Sequence, residues 1–94
     1  MISNDNANAK ETQELDASAK RITTNLNANV TTAHNVGTLD TMGKIQETII
    51  QSDLPHTKKL EFMDKLEKLS IKVIIDDDEM VAVYKEVQNA IRNQ

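Results

Sequence analysis

Few residues in this sequence have types and spacing that could support chemistry. The densest group is the acidic run Asp76–Glu79, whose carboxylates could bind a divalent cation. Consecutive helical residues point in different directions, and the spaced oxygen ligands and the glycine of a calcium loop are missing. Asp76 followed three residues later by Glu79 matches the start of a helix. We therefore expect the run to cap a helix, with a docking surface for a basic partner as the alternative.

The two histidines are His34 and His56, and both fall in segments with turn signals. A metal site would need both imidazoles to converge with a carboxylate such as that of Asp53. Nothing in the spacing brings them together. We expect surface turn residues, and a pH-sensitive role for either imidazole is the alternative.

Several lysines share one face of the predicted C-terminal helix: Lys58, Lys65, Lys68 and Lys72, with Lys59 beside them. Acidic residues lie between them, so a solvated face of mixed charge is expected rather than a phosphate-binding surface. The net charge is −4, and residues 1–52 and 53–94 carry 4 basic with 6 acidic and 7 basic with 9 acidic residues. Only Phe62 and Tyr84 are aromatic. This composition argues against nucleic-acid binding.

Catalytic and cofactor motifs are not found in the sequence. It has no cysteine, no nucleophile elbow, no glycine-rich phosphate loop and no zinc pattern. We expect no enzyme, no catalytic residue, no cofactor, no metal and no small-molecule substrate.

The sequence also has no membrane signal. Residues 1–10, MISNDNANAK, lack the apolar core of a signal peptide, and no apolar run approaches the roughly 20 residues of a membrane span. The expectation is a cytoplasmic protein that does not enter a membrane.

The N-terminal half has a thin apolar stripe with helical spacing. Residues 1–8 are polar and are predicted to be a flexible tail, with Asn8 as a possible helix cap. The stripe then runs through Leu15, Ala19, Ile22, Leu26, Val30 and Ala33. Many of the intervening residues are Asn and Thr, which form helices poorly. We expect residues 15–35 to be the least stable part of the isolated chain.

The stripe changes phase in the middle of the chain. Leu39, Met42, Ile45 and Ile49 keep helical spacing but point to another side of a straight helix. Gly37 suits a helix C-terminus, so an arm over residues 9–52 is predicted, kinked near Gly37. Ser52 to Pro55 carries the strongest turn signal, because proline begins helices and disfavours helical dihedrals in the residue before it.

The C-terminal half has the strongest periodicity. Alternating steps of 4 and 3 define a heptad seam, missing only at Asp76, through Phe62, Leu66, Leu69, Val73, Met80, Val83, Val87 and Ala90. A second apolar set flanks it, which favours a bundle over a two-stranded coiled coil. We favour one helix over residues 55–92, with a break at 75–77 capped by Asp76 as the alternative. Leu66 and Leu69 should be buried, and the methionines of the stripes should pack in the core.

These patterns predict an all-α protein, a helical hairpin or small helical bundle with a coiled-coil-like heptad seam, as one domain over residues 9–94. The expected function is a protein–protein interaction or assembly subunit that packs with itself, as a homo-oligomer, or with other helical proteins. A small acidic regulator, inhibitor or antitoxin-like, that blocks a target protein is the alternative. The predicted partner-binding residues are Ile22, Leu26, Leu66, Leu69, Val73, Met80 and Val87.

Overall fold

Four helices make up the structure, a computed structural model that describes the backbone of residues 2–28 and 33–94 and the side chains of residues 9–28 and 37–94. They are α1 (Ile2–Ala28), α2 (Ala33–Gln51), α3 (His56–Ser70) and α4 (Asp77–Arg92). The described residues contain no strand. The predicted all-α class is confirmed, and none of the described helices has the length and apolar character needed to cross a membrane.

Polar contacts between the helices fix their directions. Arg21 of α1 meets Glu67 of α3, and Asn25 four residues later meets Ser70, so α1 and α3 run parallel. Lys65 of α3 meets Glu86 of α4, and Lys72, just after α3, meets Glu79 near the start of α4, so α3 and α4 run antiparallel. The chain therefore runs up, down, up and down.

The core lies around α3, which packs against each of the other three helices. Among the described residues α1 and α4 lie on opposite sides and make no contact with each other. The molecule is accordingly flattened, with extents of 48 × 28 × 16 Å. The buried apolar set is Leu15, Ile22, Leu26, Met42, Ile45, Ile49, Leu54, Phe62, Met63, Leu66, Leu69, Ile75, Met80, Val83 and Val87.

The turn predicted at residues 52–55 joins α2 to α3. The Ser52 hydroxyl donates to the Ile49 carbonyl at 2.7 Å and accepts from the Leu54 amide at 3.3 Å. The Pro55 carbonyl then accepts the amides of Lys58 and Lys59, which begins α3. The predicted turn is found, but Pro55 is itself the residue that precedes the helix, with ψ at 149°, and α3 begins at His56.

The predicted kink near Gly37 is wrong. α2 is continuous from Ala33 to Gln51, and Gly37 lies inside it without the positive φ of a helix C-terminal glycine. The chain leaves α1 at Ala28, and residues 29–32 lie outside the described residues. The first arm is thus two helices. The change of phase correctly indicated that one helix does not continue through this half of the chain. Gly37 did not mark where the first helix ends, because a helix interior tolerates glycine at a cost of about 1 kcal/mol.

The N-terminal boundary also differs from the prediction. α1 begins at Ile2, so Asn8 lies within a helix and does not cap it. The side chains of residues 1–8 lie outside the described ones. The flexibility of this segment stays a prediction.

The favoured single helix over residues 55–92 is wrong: the chain breaks as in the alternative, but over residues 71–76 rather than 75–77. α3 ends at Ser70 and α4 begins at Asp77, with Asp76 as its cap: the Asp76 carboxylate accepts the Asp78 amide at 3.0 Å. The residues between include four β-branched side chains, which lose rotamer freedom in a helix. Because α3 ends at Ser70, the chain can turn back and α4 can pack against α3. Met80, Val83 and Val87 of α4 then lie in the core.

Candidate partner-binding surface

Most of the residues predicted to bind a partner lie in the core of this chain. Ile22, Leu26, Leu66, Leu69, Met80 and Val87 are all buried. The predicted burial of Leu66 and Leu69 is confirmed, and so is core packing of Met42, Met63 and Met80. Because the chain's own helices cover these six side chains, they offer no contact surface in the folded bundle. Only Val73 of the predicted set is exposed.

Among the described side chains, the large exposed apolar residues are instead concentrated between α3 and α4. We call residues Ile71, Lys72, Val73 and Ile74 the 71–74 loop. Its three apolar side chains are 64%, 80% and 78% exposed for Ile71, Val73 and Ile74 respectively. Isolated exposed apolar residues are ordinary, whereas three within four residues form a patch of the kind found at interaction sites. Sequence periodicity missed it, because on a straight helix Val73 continues the buried seam.

An acidic segment follows this loop directly. Asp76, Asp77 and Asp78 are exposed, and Glu79 pairs with Lys72 at 2.6 Å. Within the described side chains no salt bridge neutralises the three aspartates. Acidic residues in the first turn of α4 favour the helix, since the helix dipole is positive there. They also leave a negative field beside an apolar loop.

A groove runs between α2 and α4, beginning at the acidic start of α4. Two adjoining depressions of about 300 and 170 Å³ share Thr41 and Val81. We call this the α2–α4 groove and define it by Thr38, Thr41 and Ile45 of α2 with Asp77, Val81 and Tyr84 of α4. Its existence follows from the parallel course of the two helices, which bury Ile45 and Met80 at its floor while Val81 stays 46% exposed. The groove could not be predicted from a single helix over the C-terminal half, because it forms only when α4 turns back to lie beside α2.

His56 lies at the start of α3 and faces α1. Its Nδ1 is 3.6 Å from the Glu11 carboxylate and its Nε2 is 3.5 Å from that of Glu14. The side chain is 18% exposed, and Nε2 is buried with no hydrogen-bond partner. The expectation of a surface turn residue was therefore wrong for His56, because the parallel docking of α1 covers it. The His34 side chain lies outside the described residues.

The two carboxylates beside His56 approach opposite nitrogens of one ring. A shared metal ion would instead need ligand atoms that converge on one point. Among the described side chains no group of three or more histidine, aspartate or glutamate residues could hold a metal ion. The geometry is that of an electrostatic contact between α1 and α3.

The lysine face forms ion pairs with neighbouring carboxylates. Lys58 pairs with Glu61, Lys68 with Asp64, and Lys65 with Glu86. Lys59 instead donates to the Ile50 carbonyl at the end of α2, at 2.9 Å. This pattern of alternating charge matches the expected solvated face.

Polar contacts between α1 and α3 were not predicted from the sequence. The Arg21 Nε donates to the Glu67 carboxylate at 3.0 Å, and the Asn25 amide donates to the Ser70 hydroxyl at 3.0 Å. Ser70 is buried, and its hydroxyl donates a hydrogen bond to the Glu67 carbonyl. The asparagine-rich surface of α1 thus includes at least one residue that fixes its register on α3.

No protein family model, curated protein or solved structure matches this chain. Its function is therefore inferred from its own residues.

Proposed function

We propose that this protein is a non-enzymatic helical interaction subunit that binds another protein chain through the 71–74 loop. The observation that carries the proposal is the 80% and 78% exposure of Val73 and Ile74, in a chain whose other large apolar residues are mostly buried. Burying apolar surface contributes about 25 cal/mol per Å². A partner that covers these side chains would gain that contribution without opening the bundle.

The proposal moves the contact from the buried seam to a surface loop. Packing through Leu66 or Val87 would need the helices to separate first, which costs the stability of the core. The loop needs no such change. A cytoplasmic setting, expected from the absence of a signal-peptide pattern and of a membrane span in the sequence, belongs to the same proposal.

A small acidic regulator is a second candidate, favoured by the exposed carboxylates of Asp76, Asp77 and Asp78 beside the loop. Such a protein would cover a basic surface of its target. Both candidates use the same end of the bundle. They differ in the partner, which is a structural helical chain in one case and a protein inhibited by binding in the other.

Paired variants test the role of the loop. Val73→Ser with Ile74→Ser removes apolar surface at the loop, and Lys85→Ser with Gln88→Ser makes a matched change on exposed positions of α4. Sedimentation velocity measures self-association, and affinity capture followed by intact mass measurement identifies heterologous partners. We expect a stoichiometric complex, homomeric or heteromeric, that is lost in the loop variant and kept in the control.

Two results would overturn the proposal. One is a wild-type protein that stays monomeric and captures no partner in stoichiometric amount. The other is a complex that survives the loop substitutions unchanged. Circular dichroism of each variant shows whether the helices remain folded.

A further inference from the structure

The α2–α4 groove is apolar at its far end, whereas its near end combines apolar side chains with the Asp77 carboxylate. Thr41 and Val81 belong to both of its depressions, so the two form one trough. Tyr84 and Ile45 line its far end, and Asp77 lies at its near end. No heavy atom lies within 4 Å of the position a Cβ would take at Gly37, which keeps the near end open.

The dimensions of the groove fit a helix. Asp77 and Tyr84 are seven residues apart on α4, which is about 10 Å or two helical turns. A helix laid along this length presents two or three apolar side chains at i, i+3 or i+4, and i+7. The small side chains of Thr38 and Thr41 allow it to approach α2 closely.

The 71–74 loop lies close in sequence to the near end of the groove. Ile74 precedes Asp77 by three residues, so their Cα atoms are at most about 11 Å apart. A partner helix that extends beyond the near end of the groove is therefore within reach of the loop.

Charge selects the occupant. At the near end Asp76, Asp77 and Asp78 form no salt bridge with any described cation, whereas Lys44, which lines the far end, pairs with Asp40 at 3.4 Å. The charge at the near end of the groove is thus negative. An acidic or neutral helix would leave these carboxylates uncompensated, and a basic one would pair with them.

We propose that the α2–α4 groove binds an amphipathic helix of a partner protein, with apolar residues between Thr41 and Val81 and lysine or arginine residues against Asp77 and Asp78. This inference rests on the proposed function and names the chemistry of its partner. A second copy of this chain is the competing occupant, and it is distinguished by experiment.

The probe is a synthetic amphipathic peptide of about 14 residues, or four helical turns. It carries leucine on one face and lysine on the flanks, and a matched peptide carries glutamate in place of each lysine. Fluorescence anisotropy gives the affinities, and amide chemical shifts of the full chain locate the site. We expect the lysine peptide to bind with shifts concentrated at the groove and the 71–74 loop, and the glutamate peptide to bind at least about tenfold more weakly.

Two variants test the two halves of the site. Asp77→Asn with Asp78→Asn should weaken the lysine peptide about tenfold while leaving the Asp76 cap in place. Thr41→Lys fills the groove with a cationic side chain and should weaken binding at least as much. Asp16→Asn, which removes one exposed carboxylate of α1, and Thr23→Lys, which adds a lysine on the same helix, are the controls and should have no effect.

The inference is overturned if neither peptide binds up to about 1 mM, which is a free energy near −4 kcal/mol. It is overturned equally if both peptides bind alike, if the shifts fall elsewhere, or if the chain dimerises through the groove without a peptide. Partner capture that depends on Val73 and Ile74 but not on Thr41 would keep the proposed function and reject the groove. If no partner is captured and no peptide binds, the proposed function and the groove are rejected together.

Discussion

Two valines of one predicted seam provide the sharpest test of the fold. Val87 is fully buried, with 0% of its surface exposed, whereas Val73 is 80% exposed. Replacing either by alanine removes the same two carbon atoms. A continuous helix over residues 55–92 would place both on its buried face and predict equal losses. The broken helix predicts a large loss at Val87 and almost none at Val73.

The size of the difference follows from burial. Each buried methylene contributes about 0.8 kcal/mol, so two carbons at Val87 contribute about 1.6 kcal/mol. A residual cavity adds about 24 cal/mol per Å³ that the core fails to refill, which brings Val87→Ala to about 2–3 kcal/mol. At Val73 no cavity forms and little surface changes, so Val73→Ala should cost under about 0.5 kcal/mol.

Urea unfolding followed by circular dichroism measures both variants. The protein concentration is kept low enough for sedimentation to show a monomer, since a partner or second copy on the loop would add its own contribution at Val73. For a domain of this size each 1 kcal/mol also shifts the melting temperature by about 4–8 °C. Equal losses at Val73 and Val87 in the monomer would refute the break between α3 and α4.

Three further predictions concern the cap, the first helix and nucleic acid. Asp76→Ala should destabilise the protein by about 0.5–2 kcal/mol and Asp76→Asn by much less, because asparagine can still accept the Asp78 amide; thermal unfolding of both decides it. Hydrogen exchange of the free monomer should show faster exchange over residues 22–28 than over residues 66–69, and equal protection would show that α1 is self-sufficient. Duplex and single-stranded DNA should not bind more tightly than about 10 μM at physiological salt, and a tighter complex in anisotropy would contradict the charge argument.

Local signals in the sequence predicted several elements of the fold. The turn before α3 follows from Pro55, whose ring fixes its own backbone. The cap at Asp76 follows from an aspartate ahead of an acidic first turn. Burial of Leu66 and Leu69 follows from their period. Each of these depends on residues within one or two turns of the feature, so the sequence contains the necessary information.

Other features depend on contacts between distant segments. Periodicity across residues 62–90 continues through the break, and only the antiparallel return of α4 decides that Val73 is outside the core. The pairing of Asn25 with Ser70 joins positions 45 residues apart, which spacing cannot reveal. His56 is partly covered for the same reason, through the docking of α1. Most of the residues predicted to bind a partner are consequently found in the core, and of the exposed loop only Val73 was predicted.

Site-specific photo-crosslinking tests the central claim most directly, that the 71–74 loop is the surface that meets another chain. A photoreactive residue is placed at Val73, and in a second protein at the exposed Lys85 on α4. We expect a discrete crosslinked complex from Val73 that disappears when Ile74 is changed to serine, and none from Lys85. Equal crosslinking from both positions, or a complex from Val73 that ignores Ile74→Ser, would contradict it.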